Sequence, residues 1–217
     1  MRPAAGPLER AEMDAAATFR SAVSDLQAGM DQQRETRSEI VFDDQPPPRK
    51  LAPYAAAIGA TVHEPSAAPD ADTEIGWGSF ILLYDPAGQD GWGGPFRMIA
   101  YVRAELDPEI AADPLIGQVG WSWLTEALDA RTVGYRQVSG TVTRVVTEGF
   151  GAKEGQPVDT EFELRSSWSP VIAGTGAPGD LDGHIAAWCD ALCAACGLPP
   201  LPPGVSALRP PRSRRRP

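Results

Sequence analysis

Between Phe96 and Arg131 the hydrophobic period changes from two to 3.6 across a short acidic turn, and a chain that does this needs a sheet with a helix laid on it. Phe96, Met98, Ala100, Val102, Ala104 and Leu106 fall on one face, with Arg97, Tyr101, Arg103 and Glu105 on the other, the alternation of a half-buried strand. Asp113 then caps, and Pro114 opens, a helix in which Ile116, Val119, Trp123, Leu124, Ala127 and Leu128 cover a wide apolar arc. Only a narrow polar strip of Gln118, Ser122, Thr125, Glu126 and Asp129 remains.

Around that unit the rest of the chain reads in order. Pro7 opens a first helix over Leu8 to Ala28, with Ala15, Phe19, Ala22, Val23 and Leu26 on one stripe and Gly29 as its stop. Glu39 to Phe42 is a short edge strand before the triplet Pro46, Pro47, Pro48. Leu51 to Ile58, with Pro53 near its start and Gly59 at its end, reads as a short helix, and Glu64 to Asp72 as a mobile loop. Ile75 to Tyr84 is a central strand, apolar on both faces at FILLY, that pairs antiparallel with the Phe96 strand. Val133 to Thr147 and Val158 to Trp168 form a second hairpin, with a bulge near Gly140. Asp182 caps a last helix whose stripe is Ile185, Trp188, Cys189, Leu192, Cys193 and Cys196, ended by Gly197.

The expected fold is therefore α+β, a mostly antiparallel five-stranded sheet made of two hairpins and a short edge strand, in the order α-β-(α)-β-β-α-β-β-α. Residues 8–198 form one domain, between a disordered 1–7 and a disordered Pro/Arg-rich tail at 199–217. A chain of 217 residues buries enough surface to fold without disulfides.

Charge narrows the function classes. The formal charge is −10, yet residues 198 to 217 hold Arg209, Arg212, Arg214, Arg215 and Arg216 with no acid, so the body is more acidic still. Such a body repels phosphate backbones and anionic lipid, leaving nucleic acid only a weak contact through the tail. Neither a signal-peptide core nor a membrane-length apolar run is present, and three Cys bunched at one end suit a reducing compartment, so the expected location is the cytoplasm.

Each motif that could carry chemistry has a plainer reading. Cys189, Cys193 and Cys196 have the C-x3-C-x2-C spacing of cluster ligands, but on a helical stripe they serve as small apolar filler. His184 beside them is expected to make a surface or capping contact. Gly174, Gly176 and Gly179 match a dinucleotide fingerprint, but Pro178 and Asp180 break it and no further strand completes a βαβ unit, so a hinge loop is expected. Asp70, Asp72 and Glu74 lack the rest of a calcium loop. No cofactor and no metal is expected. His63 and His184, the two histidines, have no nucleophile signature near them. Asp159, Glu161 and Glu163 share one strand face and carry the alternative reading, an enzyme using sheet carboxylates.

Trp121, at the edge of its helix's apolar arc, Trp77 and Trp92 near turns, and Tyr101 on the outward strand face are the residues suited to anchor a partner or a second copy. The leading expectation is a non-enzymatic, protein-binding module that engages another protein, or itself as a homodimer, through the sheet and the Trp121 helix. The PxxP content of LPPLPP fits an aromatic groove but equally a spacer.

The stretches KLAPYAAAIGA, LLYDPAGQDGWGGPFRMIAYVRAELDPEIAADPLIGQVGWSWLTEALDA, SGTVTRV and HIAAWCDALCAACGLPP resemble the actinobacterial family called domain of unknown function three thousand, over roughly residues 15 to 202. The resemblance implies an actinobacterial cytoplasmic protein and supplies no activity or functional residue. Separately, the element order is similar to that of small type III secretion chaperone-like domains, which are acidic, often dimeric and bind segments of other proteins; likeness of fold alone does not carry function across.

Overall fold

The computed structural model describes residues 6–65, 73–131, 134–172, 181–198 and 200. The elements are α1 (Pro7–Thr36), β1 (Ile40–Gln45), β2 (Tyr54–His63), β3 (Glu74–Tyr84), β4 (Phe96–Glu105), α2 (Pro108–Ala111), α3 (Ile116–Ala130), β5 (Tyr135–Thr147), β6 (Asp159–Pro170) and α4 (Asp182–Ala195). One antiparallel sheet runs β1-β2-β3-β4-β6-β5, and the described helices lie on one of its faces. The fold is α+β as expected, but the sheet has six strands rather than five. Of the segments expected to be disordered, 1–7 and 199–217, residues 1–5, 199 and 201–217 lie outside the described residues, as do the Gly174 motif and Asp70 and Asp72, while Pro7 opens α1.

The sixth strand is β2, where the expectation was a helix over Leu51 to Ile58. Tyr54, Ile58 and Val62 recur every four residues, a spacing compatible with either period, and Ala55 to Ala57 favour a helix locally. Pairing on both sides, with β1 from Ile40↔Val62 and with β3 from Tyr54↔Tyr84, overrides that preference. Ala60 and Val62 are buried under the helices. On the other face the small residues leave room for side chains from the edge strand: a Cβ at Gly59 would collide with Asp43 and Gln45, and Ser79 Oγ donates across it to Gln45 Oε1 at 2.8 Å.

The helices sit side by side, α1 over β1 and β2, α4 over β3 and β4, and α3 over β5. Consequently α4, between its neighbours, is buried from His184 to Ala195 on almost every side and not only along the expected stripe. Trp168, Trp188 and Phe80 fill the layer between it and the sheet, while Phe162 lies under Gly120 and Trp123 of α3. Gly197, at φ +73, then closes α4, with the Leu198 N–H donating to the Cys193 carbonyl at 2.9 Å.

Two helix boundaries differ from the sequence reading. Gly29 does not stop α1, which runs on to Thr36 with Met30 and Gln33 buried. A Cβ at Gly29 would collide with Ile185 Cγ2 and stand 2.9 Å from the Asp182 backbone, so this glycine is the point where α4 crosses α1. Gly29→Ala is therefore expected to lower stability by about 1–2 kcal/mol in urea unfolding, the clash outweighing the gain in helix propensity. A stabilised variant would show that the two backbones are not in contact there. After β4, a short α2 capped by Asp107 precedes α3, which starts at Ile116. Asp113 Oδ1 caps the intervening turn by accepting from the Leu115 N–H at 2.8 Å.

In the second hairpin the irregularity lies between Arg136 and Ser139, with Gln137 at φ 53, three residues before the expected bulge at Gly140. Gly140 has another role, since a Cβ there would stand 2.6 Å from Trp121 Cζ3. The alternation of β6 is as read, with Thr160, Phe162, Leu164, Ser166 and Trp168 buried.

Candidate protein-binding surface

With the described helices on one face, the odd-numbered residues of β2, β3, β4 and β6 form the other, which no described element covers. Register brings Trp77 and Tyr101 together there, their rings 4.9 Å apart. The Tyr101 hydroxyl donates to Glu163 Oε1 at 2.9 Å, and burial together with this bond pushes the phenol up. Arg165 stands over the Tyr101 ring at 5.4 Å and pairs with Glu163 at 2.8 Å, and Arg103 pairs with Glu161. Beside them a shallow pocket of about 190 Å³ is lined by Glu74, Trp77, Arg103, Glu105 and Glu161. Glu161 and Glu163 are thus held by arginines, while Asp159 stands exposed at the start of β6.

The remaining aromatic candidates lie elsewhere. Trp92 is half-buried in the β3–β4 turn, next to glycines that pack on Arg136. Trp121 is half-buried over Gly140 of β5, and Trp123, expected deep in the core, is also half-buried, 5.2 Å from Phe162.

The β5 strand ends the sheet. Thirteen residues long, it has no described neighbour on its outer side, and from Thr143 to Thr147 every residue is exposed. Such an edge presents a row of open backbone N–H and C=O groups. Beside it lie large exposed apolar side chains: Val145 and Val146 on β5, Phe150 and Val158 in the turn to β6, and Ile110 and Leu115 around the start of α3. Arg144 fastens this corner by donating to the carbonyls of Ala111 at 3.2 Å and Asp113 at 3.1 Å. Val119, one turn beyond Leu115, is exposed rather than part of the buried arc. Sequence reasoning missed this surface. A signal existed: Val145 and Val146 are adjacent, so a strand must turn one of them away from the core, and Tyr135 to Thr147 contains no acid in an acidic chain.

Buried polar groups elsewhere serve the core. His184 is 2% exposed, not a surface or capping residue, because the α1–α4 and α3–α4 contacts enclose its helix. Its Nδ1 accepts from Trp168 Nε1–H at 3.2 Å, and burial lowers its pKa to about 4. Cys189 and Cys193 are wholly buried and Cys196 packs against Gly76. Burial pushes the Cys193 and Cys196 thiols up to about 12, which keeps them protonated and unreactive. His63 is half-buried at the end of β2. Among the described residues no group of His, Cys, Asp and Glu is arranged to hold a metal, and no helix is long and apolar enough to cross a membrane.

No curated protein and no solved structure matches the chain. Residues 15–206 do match the model of the DUF3000 family, described as a protein of unknown function, and the chain belongs to that family.

Proposed function

We propose that this chain is a cytoplasmic, non-enzymatic protein-binding module, chaperone-like or regulatory in kind, that takes another polypeptide against the β5 edge and the apolar ridge of α2 and α3. One observation carries the reading: the open backbone groups of β5 and the exposed Ile110, Leu115, Val119, Val146 and Phe150 occupy the same corner. Strand addition would satisfy the former while the ridge gives up apolar surface to the partner, the usual division of labour in such recognition. Glu161 and Glu163 favour it over acid–base chemistry, since arginines already hold both carboxylates.

Site-specific photo-crosslinking tests it. A photoreactive side chain at position 146, in cells making the full chain, is expected to give one or a few discrete protein adducts. The same group at Met13, exposed on α1, is expected to give none. Absence of adducts at 146, or the same pattern from both positions, overturns the proposal.

A further inference from the structure

We infer that the polypeptide added to β5 is a second copy of this chain, paired antiparallel about Val142 so that two sheets become one; this rests on the protein-binding reading above. An edge strand can accept only another extended segment, because its open N–H and C=O groups demand backbone partners in register. Three features of the edge select a copy of itself.

The first is self-complementarity. Laid antiparallel on itself with Val142 at the twofold, the segment Ser139 to Val145 sets each Thr141 against the other copy's Thr143, a favourable cross-strand pair. It sets Gly140 against Arg144, so the two guanidinium groups, each turned onto its own chain's Ala111 and Asp113 carbonyls, are not opposed. A twofold contact requires this reciprocity, residue i on j and j on i.

The second is charge. Two copies each carrying −10 repel, and they repel least where neither presents an acid. Tyr135 to Thr147 is such a stretch, with Arg136 and Arg144 as its charged residues. The opposite edge, β1, carries Asp43 and Asp44 and does not meet this condition.

The third is accessibility. Thr141, Thr143 and Val145 are exposed, and the register break between Arg136 and Ser139 confines the regular edge to the segment after it. That segment contains Ser139 to Val145, the stretch that is self-complementary about Val142.

The test uses the full chain and two charged pairs of substitutions. Light scattering of the native protein over a wide concentration range is expected to reach twice 23.1 kDa. Thr141→Lys with Thr143→Lys puts like charges across the twofold and is expected to weaken association by at least about 100-fold, leaving a monomer. Thr141→Glu with Thr143→Glu does the same, and mixing the two variants is expected to restore the doubled mass. Circular dichroism melts of both variants close to the native one show that folding is intact, since both positions are exposed. A native chain that stays at 23.1 kDa throughout, or charged variants that still self-associate, overturns the inference. If adducts at position 146 then contain other proteins, the protein-binding reading survives and only self-pairing falls; if that position gives no adducts, both fall.

Discussion

Asp190→Ala is expected to lower the unfolding free energy by about 2–3 kcal/mol, a large loss for one half-exposed carboxylate. Asp190 stands on α4 between two arginines that cap the C-termini of α1 and α3, where a positive charge is favoured. Arg37 approaches it at 3.2 Å, and Arg131 donates to it at 2.6 and 3.0 Å. Arg37 is 2% exposed. Burial works against its charge, but the carboxylates of Asp190 and Glu39 outweigh this and hold the guanidinium above its ordinary range. Without Asp190, Arg37 retains Glu39 at 3.1 Å and Arg131 loses its ion pair, so the C-termini of α1 and α3 lose their common tie to α4. The full cost of breaking a buried pair, about 3–5 kcal/mol, is discounted because solvent reaches Asp190 and Glu39 remains. Urea unfolding of Asp190→Ala, Arg37→Met and the double variant checks this. The double is expected to lose less than the two singles together by about 1 kcal/mol or more. Strict additivity would mean that the two groups do not act on each other.

Acidification should remove roughly 3 kcal/mol of stability through His184 alone. Its pKa is about 4 in the folded chain and 6.5 when unfolded. Between those values the unfolded chain binds the proton and the folded chain does not. The contribution is therefore intact above pH 6.5 and is lost progressively as pH falls toward 4. The hydrogen bond gives the reason: Nδ1 must stay unprotonated to accept from Trp168 Nε1–H, and a protonated ring would set donor against donor in the core. His184→Asn keeps an acceptor near the Nδ1 position and removes the titration. Stability measured against pH for both proteins cancels the carboxylates common to them, and the native chain should show the steeper loss between pH 6.5 and 4. Parallel curves would rule out a buried neutral histidine.

Of these two groups the sequence left Asp190 unmarked and marked His184 for the wrong place. His184 follows Asp182 and Gly183 at a helix start, a position where exposure is the rule, and it is buried because helices from both sides close over it. The carboxylate trio was read correctly as one strand face; Arg165, which holds Glu163, lies two residues along the same strand, but Arg103, which holds Glu161, comes from β4 through a register no local pattern contains. Trp77 and Tyr101, named separately for exposure and shape, meet through the β3–β4 pairing. The self-complementary edge was in plain view as VSGTVTRVV, yet an edge exists only relative to a sheet order.

What the sequence determined by itself is whatever depends on near neighbours: the alternation of β3, β4 and β6, the apolar arcs of α1, α3 and α4, and the α+β class they imply. The tertiary structure alone decided β2, where a four-residue spacing fits either period until strands on both sides supply hydrogen bonds. It also decided the meaning of Gly29, which ends nothing because Ile185 needs its missing side chain. The physical reason is the same in each case: period and capping are properties of a few consecutive residues, whereas burial, close approach and an open edge are set by segments distant along the chain.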